Sequence, residues 1–315
     1  MSDEADWLAW RAQGLGGSDV ASVLGVSPWG SPYSLWVEKV GLGKDRGDAT
    51  EAQEFGLRAE PMLADWFRDK TGLFVLGEQR QCVHPTKPWM RCTIDGMVYE
   101  HVDRRGFTGD PLGVYEAKTT GDSPETWAEA VPVYYACQAT WNMLVTGTNV
   151  CWFAVLHMAF GRVKFRTYEF HLDPSDAVFV EEACERFWLD HVVTGTPPAV
   201  DGSDATTDAL TAMWDTAAGG IEASAELEAM LAQRDQWKQT ADLATAELDR
   251  LANEVRLALG DAEVLVDTTG KKLASWKWQT AERVDLKSLR AEQPEIAAKY
   301  MTESRSRVLR FTKEK

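Results

Sequence analysis

No apolar run in this 315-residue sequence reaches the roughly 18 residues needed to cross a bilayer. The first residues, Met1-Ser2-Asp3-Glu4, are acidic where a secretory leader is basic. A soluble, cytoplasmic protein with no membrane partner is expected. Paired cysteines are missing too. Cys82, Cys92, Cys137, Cys151 and Cys184 lie far apart with no C-x-x-C spacing, which suggests neither a zinc knuckle nor an iron–sulfur cage and predicts reduced, mostly buried thiols. Positive charge is scarce: 33 Lys+Arg face 49 Asp+Glu, for a net −16. A nucleic-acid surface usually shows the opposite balance. The shortage is uneven, however. Residues 270–315 carry 12 Lys+Arg against 6 Asp+Glu, net +6, leaving the first 269 residues at −22. A basic tail beside an acidic body keeps DNA binding open, although high negative charge also favours solubility whatever the function.

What is present is enough for a large core: 44% hydrophobic residues and 14 Trp, consistent with one large domain plus an appendage. No internal repeat is found. Helices are predicted over 7–11, after Ser18, over 32–40 and over 50–71, the last with Phe55, Leu63, Trp66 and Phe67 on an apolar face. Strands follow over 74–83, 90–99 and 113–118, then a helix over 132–145, a hairpin of 150–156 with 163–172, and one amphipathic helix over 174–193. This order predicts an α/β core with a mixed central sheet flanked by helices. Gly, Pro, Asp and Thr punctuate 194–208, so the main domain is set at 1–200, a linker at 201–222, and a C-terminal extension at 223–315. The extension reads as a long helix or helical hairpin over 223–259, strand-like runs over 263–267 and 272–279, and a small basic α+β end that includes a strand over 304–313.

The chemistry concentrates between Asp95 and Lys118. Thr93-Ile94-Asp95-Gly96 precedes Gly113-Val114-Tyr115-Glu116-Ala117-Lys118, with a turn-rich segment over 100–112 (Gly106, Gly109, Pro111) that would fold the two halves into a hairpin. Side chains two apart in a strand share a face, so Glu116 and Lys118 project together while Ala117 points away into the core. Carboxylate oxygens suit Mg²⁺, and a neighbouring lysine can orient or deprotonate an attacking water. An isolated E-x-K is more often a solvated hairpin and D-G a plain turn, so the pair decides nothing by itself.

Five motifs in order carry a family resemblance: Arg11 to Ser18 (Arg-Ala-Gln-Gly-Leu-Gly-Gly-Ser), Phe55-Gly56-x-x-x-Glu60, Thr93-x-Asp95-Gly96, Glu116-x-Lys118 and Tyr135-x-x-Gln138-x-x-x-x-Met143. Over roughly residues 5–195 the sequence resembles the YqaJ-type viral recombinases, the lambda exonuclease family, within the PD-(D/E)xK nucleases with their restriction-endonuclease-like core. The resemblance implies that Asp95, Glu116 and the Ala117 backbone carbonyl ligate metal, with Glu60 on a second ion or its water. It also implies that Lys118 positions or activates the nucleophilic water, and that Gln138 holds that water or the scissile phosphate. Arg11 and Ser18 match the residues that hold a 5′-terminal phosphate, by a guanidinium fork and by a hydroxyl at a helix start. One departure stands out: the family's further acidic residue shortly before the aspartate would fall in Cys82-Val83-His84-Pro85-Thr86, which has no carboxylate.

The expectation is therefore a Mg²⁺-dependent 5′→3′ exonuclease on double-stranded DNA ends, using two ions per site with Mn²⁺ as a substitute. Its 3′ single-stranded tails would pass to a single-strand annealing protein in phage-type recombination. A homo-oligomer, possible as a ring, and a phage origin are implied by the resemblance alone. A restriction- or repair-type endonuclease and a non-catalytic DNA-binding scaffold stay open, though a scaffold needs no complete metal site. In the extension, Trp276-Lys277-Trp278 and Arg305-Ser306-Arg307 interleave aromatics with charges; they suit nucleic-acid contact or partner docking equally.

Overall fold

The protein is described from a computed structural model covering residues 2–43, 50–102, 109–214, 219–302 and 309–311, with side chains from residue 6 onward. It divides into two compact units, Met1–Asp215 and Thr216–Lys315. In the first, α1 (Ser2–Arg11), α2 (Gly17–Val23), α3 (Pro32–Lys39) and α4 (Glu51–Thr71) precede β1 (Phe74–Leu76), β2 (Arg80–Val83), β3 (Arg91–Ile94), β4 (Gly96–Tyr99) and β5 (Gly113–Thr120). After a 3₁₀ turn at Pro124–Trp127 come α5 (Val133–Thr146), β6 (Val150–Ala159), β7 (Arg162–His171) and α6 (Pro174–Arg186), which runs into a π-helical segment, Phe187–Val193, and then α7 (Asp204–Met213).

Five strands form one mixed sheet in the order β1-β4-β5-β6-β7, with only β5 and β6 parallel. That parallel pair needs a crossover, and α5 supplies it. The sheet has a core on each face. Val114, Phe153 and Val155 pack with α2, α3, α5 and α6, while Tyr115, Ala154 and Leu156 pack with Ala59, Leu63 and Phe67 of α4. Burying Leu63 and Phe67 completely is worth about 1.5–3 kcal/mol each. The helix that carries them is well bounded. Thr50 Oγ1 accepts from Gln53 N–H at its start, and Gly72, at φ 76, closes it in the left-handed conformation. Phe55 and Trp66, expected on the same apolar face, are exposed at 44% and 37%; Trp66 instead sits edge-on to Phe165 at 5.3 Å.

Several elements differ from the sequence expectation. The single strand over 74–83 is two, turned at Gly77 and Gln79, both at positive φ. The strand over 90–99 also divides, at Asp95: β3 leaves to pair with β2, and β4 stays in the main sheet. Two register demands met by one hydrophobic run look like one strand in sequence. The helix over 174–193 changes to π-helical spacing at Phe187. Helix α7 occupies the segment read as the start of the linker. Its Thr206 Oγ1 lies 2.7 Å from Ser31 Oγ in a buried contact against α3, so the first unit runs on to Asp215.

In the second unit α8 (Ala225–Leu259) is one continuous helix, followed by the hairpin β8 (Val264–Val266) with β9 (Lys272–Ser275) and the short helices α9 (Leu286–Glu292) and α10 (Pro294–Lys299). The second strand-like run is shorter than read and stops before Trp276 and Trp278, both exposed. Arg305-Ser306-Arg307, most of the strand expected over 304–313, and Gly106 of the 100–112 turn lie outside the described residues. Among the described residues no helix is long and apolar enough to cross a membrane.

Candidate active site

The break at Asp95 builds the site. β4 pairs with β5 through Gly96↔Tyr115 and goes no further, so the edge of β5 from Glu116 onward has no strand beside it. Asp95 fills the gap: its Oδ2 accepts from Ala117 N–H at 2.9 Å. The N–H and C=O of one strand residue leave by the same edge, which puts the Ala117 carbonyl on that open side as well. On the opposite edge β5 is held by β6, with Glu116↔Phe153 and Lys118↔Val155.

Glu116 is fully buried, and every donor around it is a side chain. Lys118 Nζ donates to its Oε2 at 2.7 Å, Gln138 Nε2 to the same oxygen at 3.0 Å, and Asn142 Nδ2 to Oε1 at 2.5 Å. Gln138 and Asn142 are one turn apart on α5 and so present to the same point of the sheet. Burial pushes the Glu116 carboxyl up to about 7; the Lys118 ammonium opposes this and the Asp95 charge adds to it. Lys118 goes the other way. Burial would lower its pKa, but the negative charges of Glu116 and Asp95 outweigh that and hold it charged.

Glu60 comes from α4 on the far face of the sheet. Its pKa is raised by burial and by Asp95, while a 2.8 Å hydrogen bond from Gln79 Nε2 to its Oε2 works against the rise. Asp95 thus disfavours the charged form of both Glu60 and Glu116. Among the described residues no three His, Cys, Asp or Glu side chains are close enough to enclose an ion as they stand. The ammonium of Lys118 is the cation seated on Glu116.

At the other end of the cleft the loop between α1 and α2 docks on β3 through Leu15 N–H to Trp89 O at 2.8 Å and Arg91 N–H to Leu15 O at 2.9 Å. This docking carries Arg11 and Ser18 to the site. Arg11 Nη2 donates to Ser18 Oγ at 3.0 Å and to Asp19 Oδ1 at 2.6 Å, with the guanidinium 5.4 Å from the Trp7 ring centre. Asp19 is buried, with Lys39 Nζ 2.7 Å from its other oxygen. Burial alone would raise its pKa, but Arg11 and Lys39 together bring it down to about 2. Glu38 adds a second negative charge near Arg11. Helix α2 starts one residue earlier than Ser18, and Asp19 Oδ2 secures the start by accepting from Gly16 N–H at 2.9 Å.

A single cavity of about 410 Å³ is lined by Arg11, Ser18, Glu60, Asp95, Ala117, Lys118 and Gln138. Glu116 lies directly beneath, so all the residues singled out in the sequence meet in one place. Four participants went unnoticed. Asn142 was legible as the residue one turn after Gln138, and Asp19 as the neighbour of Ser18. Lys39 and Gln79 have no local signal, because only the tertiary fold brings α3 and the β1–β2 corner here. Sequence also hides a thiol pairing: β2 and β3 set Cys82 directly opposite Cys92.

A mixed sheet with helices on both faces and a carboxylate–lysine strand beside a break in it are the arrangement that the sequence resemblance implied. The YqaJ-like viral recombinase domain model matches residues 6–149, so that part of the chain is similar to this family. An uncharacterised protein of Bacillus subtilis strain 168, YqaJ, is 27% identical over 308 residues, spanning 96% of this chain and 92% of its own. Two solved structures are similar at lower levels. The alkaline exonuclease LHK-Exo from Laribacter hongkongensis has 20% identity and a TM-score of 0.46, covering 61% of this chain and 94% of its own. A phage-related exonuclease from Haemophilus somnus 129PT has 10% identity and a TM-score of 0.40, covering 58% and 96%.

Proposed function

We propose that this protein is a divalent-metal-dependent exonuclease that digests one strand of double-stranded DNA from its 5′ end. One observation carries the reading: a buried carboxylate–lysine pair and a cationic arginine–serine pair open into the same cleft. The first suits hydrolysis and the second suits a terminal phosphate. The donor set fits a hard divalent cation, with Asp95, Glu116 and Glu60 carboxylates and the open-edge Ala117 carbonyl as oxygen ligands. The raised carboxyl pKa values of Glu60 and Glu116 agree, since a cation would relieve the crowding of like charges. Mg²⁺ bound there, in one or two ions, would stabilise negative charge on the phosphate oxygens.

The remaining work falls to the chain itself. Lys118, released from Glu116 Oε2, has an ammonium to orient the attacking water, and Gln138 on the next helix holds the water or the scissile phosphate. Arg11 retains donors for an anion: Nη1 has no hydrogen-bond partner among the described residues, and Ser18 Oγ is exposed. Strand resection of this kind leaves 3′ single-stranded tails for an annealing protein. A closed homo-oligomer around DNA would keep the enzyme on its substrate.

Digestion of end-labelled linear duplex, with and without a 5′ phosphate and beside a closed circular control, tests the reading. Release of 5′ mononucleotides from phosphorylated linear ends in Mg²⁺ is expected. Cutting of the circle would make the protein an endonuclease, and no cutting in Mg²⁺ or Mn²⁺ would make it a binding scaffold.

A further inference from the structure

The turn between β6 and β7 consists of Phe160 and Gly161, flanked by the pair Ala159↔Arg162. Both turn residues have positive φ, 53 and 70. A two-residue turn of this kind favours Asn-Gly, and a bulky residue at its first position is an outlier that costs free energy. Phe160 is also 94% exposed, so it gains nothing from burial. An aromatic ring placed at a hairpin apex against both conformational preference and solvation calls for a ligand.

The strand behind it is cationic. Residues 150–171 contain Arg162, Lys164 and Arg166 but one acid, Glu169, in a chain of net charge −16. Alternation puts the three cations on one face. The register Lys118↔Val155↔Arg166 and Thr120↔His157↔Lys164 makes it the face that carries Glu116 and Lys118. Two strand spacings, about 9.5 Å, separate the Lys118 and Arg166 backbones. Lys164 is 3.6 Å from the exposed Glu125; among the described residues, Arg162 and Arg166 have no carboxylate partner. Same-face cations therefore lead from the active-site strand to the hairpin tip.

We propose that the β6–β7 hairpin is a second DNA contact, specific for a single strand, in which Phe160 stacks on an unpaired base while Arg162, Lys164 and Arg166 meet the phosphates. This rests on the exonuclease reading for its biological sense, though not for its test. The ligand is single-stranded because a ring at the tip of a narrow turn needs an exposed base face, which paired bases in a duplex do not offer, and base–aromatic stacking tolerates any sequence. The cations recur every second residue, a repeat of about 6.6–6.8 Å along an extended strand, suited to an extended sugar–phosphate backbone.

Binding of the full chain to fluorescein-labelled oligo-dT in EDTA, followed by anisotropy, separates this contact from cleavage. Phe160→Asn keeps the turn, since Asn is favoured there, and removes the ring; affinity should fall on the order of tenfold, the loss of one stacked base. Arg162→Gln with Arg166→Gln should flatten the log–log salt dependence by about 1.4, two phosphate contacts on a single strand. Wild-type affinity in Phe160→Asn, or a changed sedimentation profile with unchanged oligo-dT binding, overturns the proposal; the latter makes the tip a contact between protein chains. The same preparations on linear duplex in Mg²⁺ tell the two readings apart. Phe160-dependent binding by a protein that cuts nothing sinks only the exonuclease, and cutting with Phe160-independent binding sinks only the hairpin.

Discussion

Asn142 Nδ2 donates to Glu116 Oε1 at 2.5 Å, where neither residue is reached by solvent. The closeness depends on Gly17, because a Cβ there would lie 2.3 Å from Asn142 Oδ1. The bond favours the charged form of a carboxyl that burial has already pushed up to about 7. Asn142→Ala removes it, so Glu116 becomes harder to ionise. A hydrogen bond to a charged group is worth about 1.5–3 kcal/mol, which moves the acidic limb of the cleavage profile upward by about one to two pH units. Rates measured from pH 5.5 to 9 report the shift, with full-length folding checked by circular dichroism. An unmoved limb would remove Asn142 from the site.

Asp19 supports the Arg11 end of the cleft and has the opposite titration. Its folded pKa, about 2, lies below its ordinary 3.8, so its stabilisation is complete above the ordinary value and is lost as pH falls towards 2. Asp19→Asn leaves the guanidinium of Arg11 and the ammonium of Lys39 without their shared carboxylate, at a cost of about 3–5 kcal/mol. Urea titrations at pH 7 and pH 3 should show a large loss in the variant at pH 7 and a smaller difference from wild type at pH 3. Equal stability at pH 7 would mean that the buried cluster is not formed.

How much of this was legible in the sequence depended on whether a residue's role was local. Glu116 and Lys118 could be paired from strand alternation alone, and the Gly72 stop was plain because a helix end in the left-handed conformation selects glycine. Asp95 was identifiable as a site residue, yet its structural task, capping Ala117 N–H where β4 departs, was hidden because the break lies inside one apolar run. Helix α7 was lost for a similar reason: Thr206 looks like linker polarity until Ser31, 175 residues away, supplies the partner. The asymmetry of charge between tail and body was visible, but the cations of β7 were diluted by the acidity around them.

Asp95→Asn separates charge from geometry. The amide keeps an acceptor for Ala117 N–H, so the fold should survive, while the loss of charge removes a proposed metal ligand. Cleavage should fall by more than the 10–100-fold typical of an outer-shell partner. Glu116→Gln should behave alike. Near-wild-type rates in either variant would refute the assignment.

Lys118→Met makes the complementary test. Without the ammonium, Glu116 Oε2 loses its 2.7 Å donor and keeps the 3.0 Å bond from Gln138, which opens one side of it to a cation. The same change takes away the charge that opposes the rise of the Glu116 carboxyl, so calorimetry at alkaline pH should show Mg²⁺ binding retained and cleavage abolished. Binding and cleavage lost together would show that Lys118 holds the site in shape and has no separate part in hydrolysis.

The proposed 5′-phosphate pocket calls for variants that respect what Arg11 already does. Arg11→Ala would take one of two cations from the buried Asp19, so its effect on cleavage could come from lost stability alone. Ser18→Ala deletes one exposed hydroxyl, and Arg11→Lys keeps a charge for Asp19 while losing the planar fork that takes phosphate through two bonds. Each removes a charge-assisted contact of about 1.5–3 kcal/mol, so digestion of 5′-phosphorylated duplex should slow roughly 10- to 100-fold, with 5′-hydroxyl duplex little changed. Equal slowing on both ends would reduce the pair to a general DNA contact. No slowing on either would leave Arg11 as the partner of a buried aspartate, a purely structural role that its 2.6 Å bond to Asp19 already accounts for.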